Sequence, residues 1–150
     1  MDTSTLRVKK LIEYLFNIVS NINENTEEIN VDMLSNDINN YSLNKVPTSS
    51  VVEKWVNGIE IHRDVYSFRS RTTYSQDVDN NLENAGFFEK FEYIINSNNK
   101  EGILPSIDGI ESIECLNHGT MLSGDNKTAI FDIQIQIVYV LKKNNTITSL

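Results

Sequence analysis

The residues that could perform nucleophilic chemistry are few in this chain. A nucleophile needs a base within hydrogen-bonding distance, and the chain offers one cysteine, Cys115, and two histidines, His62 and His118. Cys115 and His118 are three residues apart, and such side chains point to opposite faces of a strand. We therefore expect Cys115 to be an ordinary core residue and the protein not to be an enzyme.

Two other patterns resemble ligand sites without completing one. Asp77, Asp79 and Glu83 bring carboxylates together near the start of a predicted helix. An EF-hand requires alternating ligands that end in a glutamate at the twelfth position, a pattern that is not found around them. The run Ser-Gly-Asp-Asn at 123–126 is too short to cradle a phosphate and is typical of a turn. With one cysteine there is no cysteine-based metal site and no intrachain disulfide, and we expect neither a metal nor a cofactor.

The chain is acidic, with 13 Lys and Arg against 21 Asp and Glu and a net charge of −8. Tight binding to nucleic acid requires clustered basic residues that displace counterions, so we expect no sequence-specific binding to DNA or RNA. An acidic wall would instead repel DNA from the side of a channel. The most apolar stretch, residues 130–141, is too short and too polar to span a bilayer as a helix. We expect an intracellular protein without a membrane segment.

A length of 150 residues and the lack of a linker pattern predict one domain, residues 1–150. A first helix is predicted from Thr3 to Ile22, because its apolar residues recur every three or four positions. Residues 23–50 are typical of a polar excursion with a short strand near "INVDML", and Pro47 argues against a helix there. Asn57-Gly58 lies between two apolar runs and predicts a hairpin, whose second strand continues through the alternating residues 66–72.

A second helix is predicted from an N-cap at Ser75 to about Asn98. Gly86 inside it should cost about 1 kcal/mol relative to alanine, so we expect another backbone to pass close by. In the last third, two strands are predicted to flank "TMLSGDN", whose Ser-Gly-Asp-Asn run is typical of a hairpin tip. The final strand has one apolar face: Phe131, Ile133, Ile135, Ile137, Tyr139 and Leu141. The predicted class is α+β, a mostly antiparallel sheet with two main helices packed on one face, in the order α-β-β-β-α-β-β.

Several side chains are more typical of a protein interface than of a catalytic site. Arg69 and Arg71 point the same way from one strand, and they form either a solvated face or bidentate bridges to an acidic partner. Two adjacent phenylalanines cannot both face squarely inward from one helix, so another surface or subunit should cover one of them. The candidate interface residues are Trp55, Arg63, Arg69, Arg71, Asp77, Glu83, Phe87 and Phe88. Candidates for lining a lumen are Asp132, Gln134 and Gln136, on the polar face of the last strand.

Four motifs follow in order between Tyr41 and His118: "YSLNKVPTSSVV", "GIEIHRDVYSFRSRTTYSQDVDNNLENAGFFEKFEYII", "GILP" and "IESIECLNHG". With the long final strand, this series resembles the tail-terminator family of tailed phages and phage-tail-like particles from low-G+C Gram-positive bacteria, often labelled minor capsid proteins. The matching residues are Tyr41, Ser42, Val46, Pro47, Thr48, Phe68, Ser70, Arg71, Tyr74, Asp77, Glu83, Asn84, Gly86, Phe87, Phe88, Glu89, Leu104, Pro105, Ile113 and Glu114. The Asn-rich N-terminal excursion departs from the family pattern, as does Ile94, where an aromatic residue is expected.

The resemblance implies a structural subunit of a hexameric ring on the head-proximal end of a tail tube. Such a ring stops addition of tube protein and offers a docking face to neck or collar proteins, in a virion or tail-like bacteriocin assembled in the bacterial cytoplasm. Its implied partners are other copies of itself, the tube protein, the sheath and neck connectors, and DNA passes through its lumen. A head-to-tail interface closes into a ring when its rotation divides a full turn. Arg69 and Arg71 would then bridge to a neighbour's carboxylates.

Three alternatives stay open at this point. The first is another ring of the same particle, a neck connector or a tail-completion protein. The second is a small intracellular enzyme, although His62 and His118 lie in no catalytic motif. The third is an adaptor or inhibitor that works as a monomer.

Overall fold

A computed structural model describes residues 3–23, 28–31, 40–47, 51–73, 78–124 and 128–142. The helices are α1, Thr3–Ile22, and α2, Val78–Glu101. The strands are β1, Ile29–Val31; β2, Asn40–Val46; β3, Val51–Lys54; β4, Ile59–Thr73; β5, Ile110–Cys115; β6, Thr120–Gly124; and β7, Thr128–Lys142. No helix within these ranges is long and apolar enough to cross a membrane.

The seven described strands form one sheet around its two longest members, β4 and β7. These two pair antiparallel along their full length, from Ile59 opposite Lys142 to Thr73 opposite Thr128. The order is β1-β2-β4-β7-β5, with β3 added to β4 and β6 added to β7. Of the described pairs, β1 with β2 is the parallel one. Strands β1 and β3 therefore lie towards one edge of the sheet, and β5 and β6 lie at the other.

One face of the sheet carries the hydrophobic core, because side chains alternate between the two faces of every strand. Leu43, Phe68 and Ile133 are neighbours across β2, β4 and β7, and each is at most 1% exposed. The helices contribute Leu11, Leu15, Ile18 and Val19 from α1 and Phe88, Phe91 and Ile95 from α2. The predicted α+β class, with two helices on one face of a mostly antiparallel sheet, is confirmed.

Stacked aromatic rings join α2 to the sheet. The Phe68 ring lies 4.9 Å from that of Phe91 and 5.5 Å from that of Tyr41, measured between centroids. Phe87 stacks on Tyr41 at 5.8 Å, whereas Phe88 turns towards β7 and is 4% exposed. Both phenylalanines therefore pack against the core of their own chain. Phe88 is thus buried by its own chain, whereas Phe87 stays partly exposed, and the expectation that another surface covers one of the pair stays a prediction for Phe87.

Three local predictions are confirmed. Helix α1 has the predicted bounds, and the apolar face of β7 is the one buried in the core. The hairpin at Asn57-Gly58 joins β3 to β4, with Gly58 at φ 87°, a left-handed conformation that glycine adopts without strain. The Trp55 amide closes this turn by donating to the Ile59 carbonyl at 2.7 Å.

The structure adds two strands to the predicted order, which becomes α-β-β-β-β-α-β-β-β. Strand β2 lies in the segment that was assigned to turns, because Tyr41 and Leu43 alternate with Ser42 and Asn44 and pair with β4. Strand β6 occupies the residues just before the predicted hairpin tip and ends at Gly124, inside the Ser-Gly-Asp-Asn run, whose last two residues lie outside the described ranges. Helix α2 continues three residues beyond the predicted end at Asn98, to Glu101.

The expectation for Gly86 was wrong. A Cβ atom added at Gly86 would meet nothing within 4 Å, so within the described ranges no backbone outside its own helix passes close to it. A close approach does occur at Gly109, where φ is +77° and a Cβ atom would collide with the Val140 carbonyl oxygen. The same glycine accepts a backbone hydrogen bond of 2.8 Å from the Val140 amide. The loop before β5 is thus held directly against the end of β7.

Candidate functional site

The face of the sheet opposite the helices, called here the polar face, brings together residues that the sequence assigned to an interface and to a lumen. Residues that are paired across strands point to the same side of a sheet. Arg69 is paired with Asp132, so β4 positions of odd number share a face with β7 positions of even number. The predicted residues on this face are Arg63, Arg69 and Arg71 of β4 and Asp132, Gln134 and Gln136 of β7.

Arg69 already has a partner within its own chain. Its Nε donates to Oδ2 of Asp132 at 3.2 Å, across the central strand pair. The Asp132 side chain is 9% exposed and that of Arg69 is 39% exposed. The ion pair is therefore partly buried, because its carboxylate is covered while part of the guanidinium remains at the surface.

Further hydrogen bonds extend this polar row across the sheet. Arg71 Nη1 donates to the Thr128 hydroxyl at 3.2 Å, and Gln136 Nε2 donates to Oε1 of Glu114 at 2.9 Å. These bonds link β4 to β7 and β7 to β5. The side chains of the row hold one another in place, as a preorganised binding surface requires.

Arg63 has different surroundings. It is paired with Val138 on β7, and Ile61 and Val65 flank it on the same face of β4. Its Nε atom is buried and has no hydrogen-bond partner among the described residues. A buried guanidinium N–H in apolar surroundings costs free energy unless an acceptor reaches it. Among the predicted interface arginines, Arg63 is the one whose buried Nε lacks a hydrogen-bond acceptor among the described residues.

The other predicted interface residues are dispersed. Trp55 is 48% exposed at the β3–β4 turn, beside the fully exposed Val56. Phe88 belongs to the core and does not present an exposed anchor. Phe87 is partly buried against the same core. Asp77 and the Glu83 side chain lie outside the described residues.

A charged cluster on the helix-covered face of β4 was missed by sequence reasoning. It consists of Glu60, His62 and Asp64, which occupy alternate positions and therefore share a face. His62 Nε2 lies 3.0 Å from Oε1 of Glu60, and the Lys54 ammonium lies 3.8 Å from the other oxygen of that carboxylate. The pattern "EIHRD" contained the signal, since titratable residues at every second position of a strand must meet on one side.

Asp64 is the buried centre of this cluster, and it is 2% exposed. Its Oδ2 accepts a hydrogen bond of 3.1 Å from the Tyr139 hydroxyl, and Arg7 Nε of α1 lies 4.0 Å from the same oxygen. The Arg7 guanidinium carbon sits 4.4 Å from the centre of the Tyr139 ring, a cation–π contact. Lys45 Nζ approaches Oδ1 at 3.6 Å.

Burial followed by the Asp64 charge raises the pKa of Tyr139 to about 12 and raises that of Tyr66 as well. Both phenols are therefore protonated at neutral pH. The arrangement seats α1 on the sheet through an ion pair and a hydrogen bond. It does not activate a nucleophile.

Cys115 and His118 have separate environments. Burial, with smaller contributions from the Glu92 and Glu114 carboxylates, raises the pKa of the Cys115 thiol to about 12, which makes it a poor nucleophile. The His118 Nδ1 atom lies 2.8 Å from Oε1 of Glu92 on α2. Within the described ranges, no group of three or more His, Cys, Asp or Glu side chains could hold a metal ion.

A scan against models of protein families finds no match, and a search of curated proteins finds no similar sequence. The functional proposal for this chain therefore depends on the ordered motif series and on the polar face and edges of its sheet.

Proposed function

We propose that this chain is a structural tail-terminator subunit. Copies of it form a hexameric ring on the head-proximal end of a phage tail or of a tail-like bacteriocin tube. The ring stops addition of tube protein and offers a docking face to neck or collar proteins. The subunit works by binding other proteins within the particle and catalyses no reaction.

The observation that carries this proposal is the ordered motif series, whose described residues fall at distinct positions of one sheet-and-helix layer. Tyr41 and Ser42 lie in β2; Phe68, Ser70 and Arg71 in β4; Gly86 to Glu89 in α2; Leu104 and Pro105 in the loop after α2; and Ile113 and Glu114 in β5. The series therefore spans the core of the domain and reaches the β5 edge. Matching residues spread over the whole domain are expected if the chain shares the fold of the tail-terminator family. A single local motif would place them in one element.

The charges of the polar face change one part of the hypothesis, namely that these strands line an acidic lumen that repels DNA. On this face, β4 and β7 place Arg63, Arg69, Arg71 and Lys142 around Asp132, while Glu53 of β3 and Glu114 of β5 lie at its margins. Asp132 is also covered and paired with Arg69. A lumen lined by the central strands would thus be basic and would attract DNA instead of repelling it. We therefore propose this face, including Gln134 and Gln136, as a contact with an acidic protein surface.

Arg63 is the arginine that such a partner would satisfy most directly. Its Nε atom is buried without an acceptor among the described residues, whereas the Nε of Arg69 already binds Asp132. A carboxylate from a neighbouring protein would give Arg63 a charge-assisted hydrogen bond, which is about twice as strong as a neutral one. An arginine enclosed by apolar residues is also a common energetic centre of an interface.

Two measurements on the particle test the proposal. Electron microscopy of particles in which this subunit carries a small tag should locate it as a ring at the head-proximal end of the tube. Deletion of the coding sequence should give overlong tubes, because nothing then stops addition of tube protein. Restoration of the intact coding sequence in trans is the control, and it should return tail length to normal.

The alternatives give different results. A neck connector or a tail-completion ring would leave tails of normal length without heads. An enzyme or a monomeric adaptor would be missing from purified particles, and its loss would leave tail length unchanged. Any of these outcomes would refute the terminator role.

A further inference from the structure

The polar face carries a group of apolar side chains in addition to its charged row. Ile61 and Val65 of β4 and Val138 and Val140 of β7 surround Arg63 at paired or alternate positions; together with Arg63 they are called here the Arg63 patch. These four residues are separate from the hydrophobic core, which lies on the other face with both described helices. Contiguous apolar side chains outside a core are typical of a surface that another protein covers.

The described part of the chain supplies no acceptor for the buried Nε atom of Arg63. Asp132 and Glu114, two carboxylates of the same face, already accept hydrogen bonds from other side chains of that face. Glu53 is exposed on β3 and does not accept from the Arg63 Nε atom. An acceptor for this N–H group must therefore come from another molecule.

Arginine at this position lowers the stability of the free subunit. A buried N–H group without an acceptor destabilises a fold, because it has lost its water and gained no partner. A methionine would follow the same path beside Val65 and Val138 without a charged group to satisfy. Side chains that bind a partner often reduce the stability of the free protein in this way. The position of Arg63 is thus better explained by binding than by folding.

A second polar atom of the same face is buried without a partner. It is Oδ1 of Asn44 on β2, which accepts no hydrogen bond within the described structure. Strand β2 places Asn44 opposite Ser67 and Val46 opposite Val65, so valines separate Asn44 from Arg63. The surface therefore presents an unmet donor and an unmet acceptor with apolar side chains between them.

We propose that the Arg63 patch binds a carboxylate side chain that a neighbouring protein of the particle presents from an apolar surface. The carboxylate accepts from Nε of Arg63, and the apolar groups beside it cover Val65 and Val138. A carboxylate fits better than a neutral carbonyl, because it also supplies the countercharge that the guanidinium needs when water is excluded. The chemistry of the contact follows from the fold, whereas the place of the partner in a particle rests on the proposed function.

Paired variants test whether Arg63 serves binding. Arg63→Met and Lys142→Met each remove one cation from the polar face and leave an unbranched apolar side chain, and Lys142 is exposed. In urea, Arg63→Met should unfold at a higher midpoint than the wild type, because the unsatisfied N–H group is gone. Lys142→Met should leave the midpoint unchanged. An unchanged or lower midpoint for Arg63→Met would show that the guanidinium does not destabilise the free subunit, and it would overturn the proposal.

Small anions test the ligand chemistry on the intact chain. In nuclear magnetic resonance spectra of isotopically labelled protein, the Nε–Hε signal of Arg63 is the one that disappears in Arg63→Met. Isovalerate, a carboxylate with a branched apolar tail, should shift this signal at about tenfold lower concentration than acetate, because the tail contacts the valines. Inorganic phosphate is the competing probe and represents nucleic acid. No shift with isovalerate, or a shift at lower concentrations of phosphate, would overturn the proposal.

Competition during assembly tests the contact in the particle. Cells that lack the original gene express the wild type and one variant in equal amounts, and mass spectrometry measures their ratio in purified particles. Arg63→Met should be depleted by about tenfold to a hundredfold, which corresponds to the loss of a hydrogen bond to a charged group. Lys142→Met should stay near parity.

The outcomes separate this contact from the proposed function. Parity for Arg63→Met would remove the contact and leave the proposed function standing. Absence of the wild type from purified particles would refute the proposed function, and the anion titration would still decide which ligand the Arg63 patch binds.

Discussion

Replacing Asp64 with alanine should strongly destabilise the fold, although this residue points to the side of the sheet opposite the polar face. The carboxylate is 2% exposed and accepts a hydrogen bond from the buried Tyr139 hydroxyl. It also faces Arg7, whose side chain is 14% exposed and packs over the Tyr139 ring. Removal of Asp64 leaves a nearly buried cation and a buried hydroxyl without their acceptor.

The expected magnitude follows from these exposures. Removing one member of a fully buried ion pair typically costs 3–5 kcal/mol. The separation of 4.0 Å and the partial exposure of Arg7 place this pair at or below the lower end of that range. The unsatisfied Tyr139 hydroxyl adds about 1–3 kcal/mol, whereas Lys45 is half exposed and contributes little. Since these contributions overlap, we expect Asp64→Ala to lower the free energy of unfolding by about 3 kcal/mol.

Urea unfolding followed by far-ultraviolet circular dichroism would measure this change; the exposed Trp55 is a poor fluorescent reporter. The denaturant dependence of the free energy should be the same in both proteins, so that the shift in midpoint reports stability. Asp64→Asn is the matched control, because it keeps an acceptor for Tyr139 and loses only the charge, and its effect should be about half as large. A loss below about 0.5 kcal/mol for Asp64→Ala would refute the view that this cluster anchors α1.

Two further predictions concern backbone geometry and thiol chemistry. Gly86→Ala should raise the free energy of unfolding by up to about 1 kcal/mol, because the site is open and alanine favours helix. Gly109→Ala should lower it by more than about 1 kcal/mol, because φ is +77° and Val140 blocks the Cβ atom. Thermal unfolding of the two variants measures both changes, and equal effects would contradict this account. With a pKa of about 12, the Cys115 thiol of the native protein is almost fully protonated at pH 8 and ionises only as the pH rises towards that value. Alkylation of the native protein should therefore be far slower than alkylation in urea, and it should accelerate above about pH 10. Equal rates in the two states at pH 8 would refute the burial of this thiol.

The core could be predicted from the sequence wherever one periodicity was uninterrupted. The apolar face of β7 and the stripe of α1 each repeat over many residues, so local pattern and tertiary packing agree. Strand β2 was missed because Asn and Ser fill its polar-face positions and have low strand propensity. Pairing with β4, which is distant in sequence, overrides that propensity and buries Leu43 against Phe68.

The candidate site was only partly predictable for a similar reason. Alternation along β4 correctly placed Arg69 and Arg71 on one face. It could not show that Asp132 lies directly opposite Arg69, since the register between strands depends on the whole sheet.

The central position of β7 sets the timing of folding. It follows every other described strand in the chain, yet β4, β5 and β6 all depend on it for their backbone pairing. During synthesis, the earlier strands emerge from the ribosome with their main partner still untranslated. Contacts so distant in sequence form slowly, and chains that stop early leave unpaired strands that tend to aggregate. The chain can therefore complete its sheet only after residue 142 has been translated, and shorter chains are expected to aggregate or be degraded.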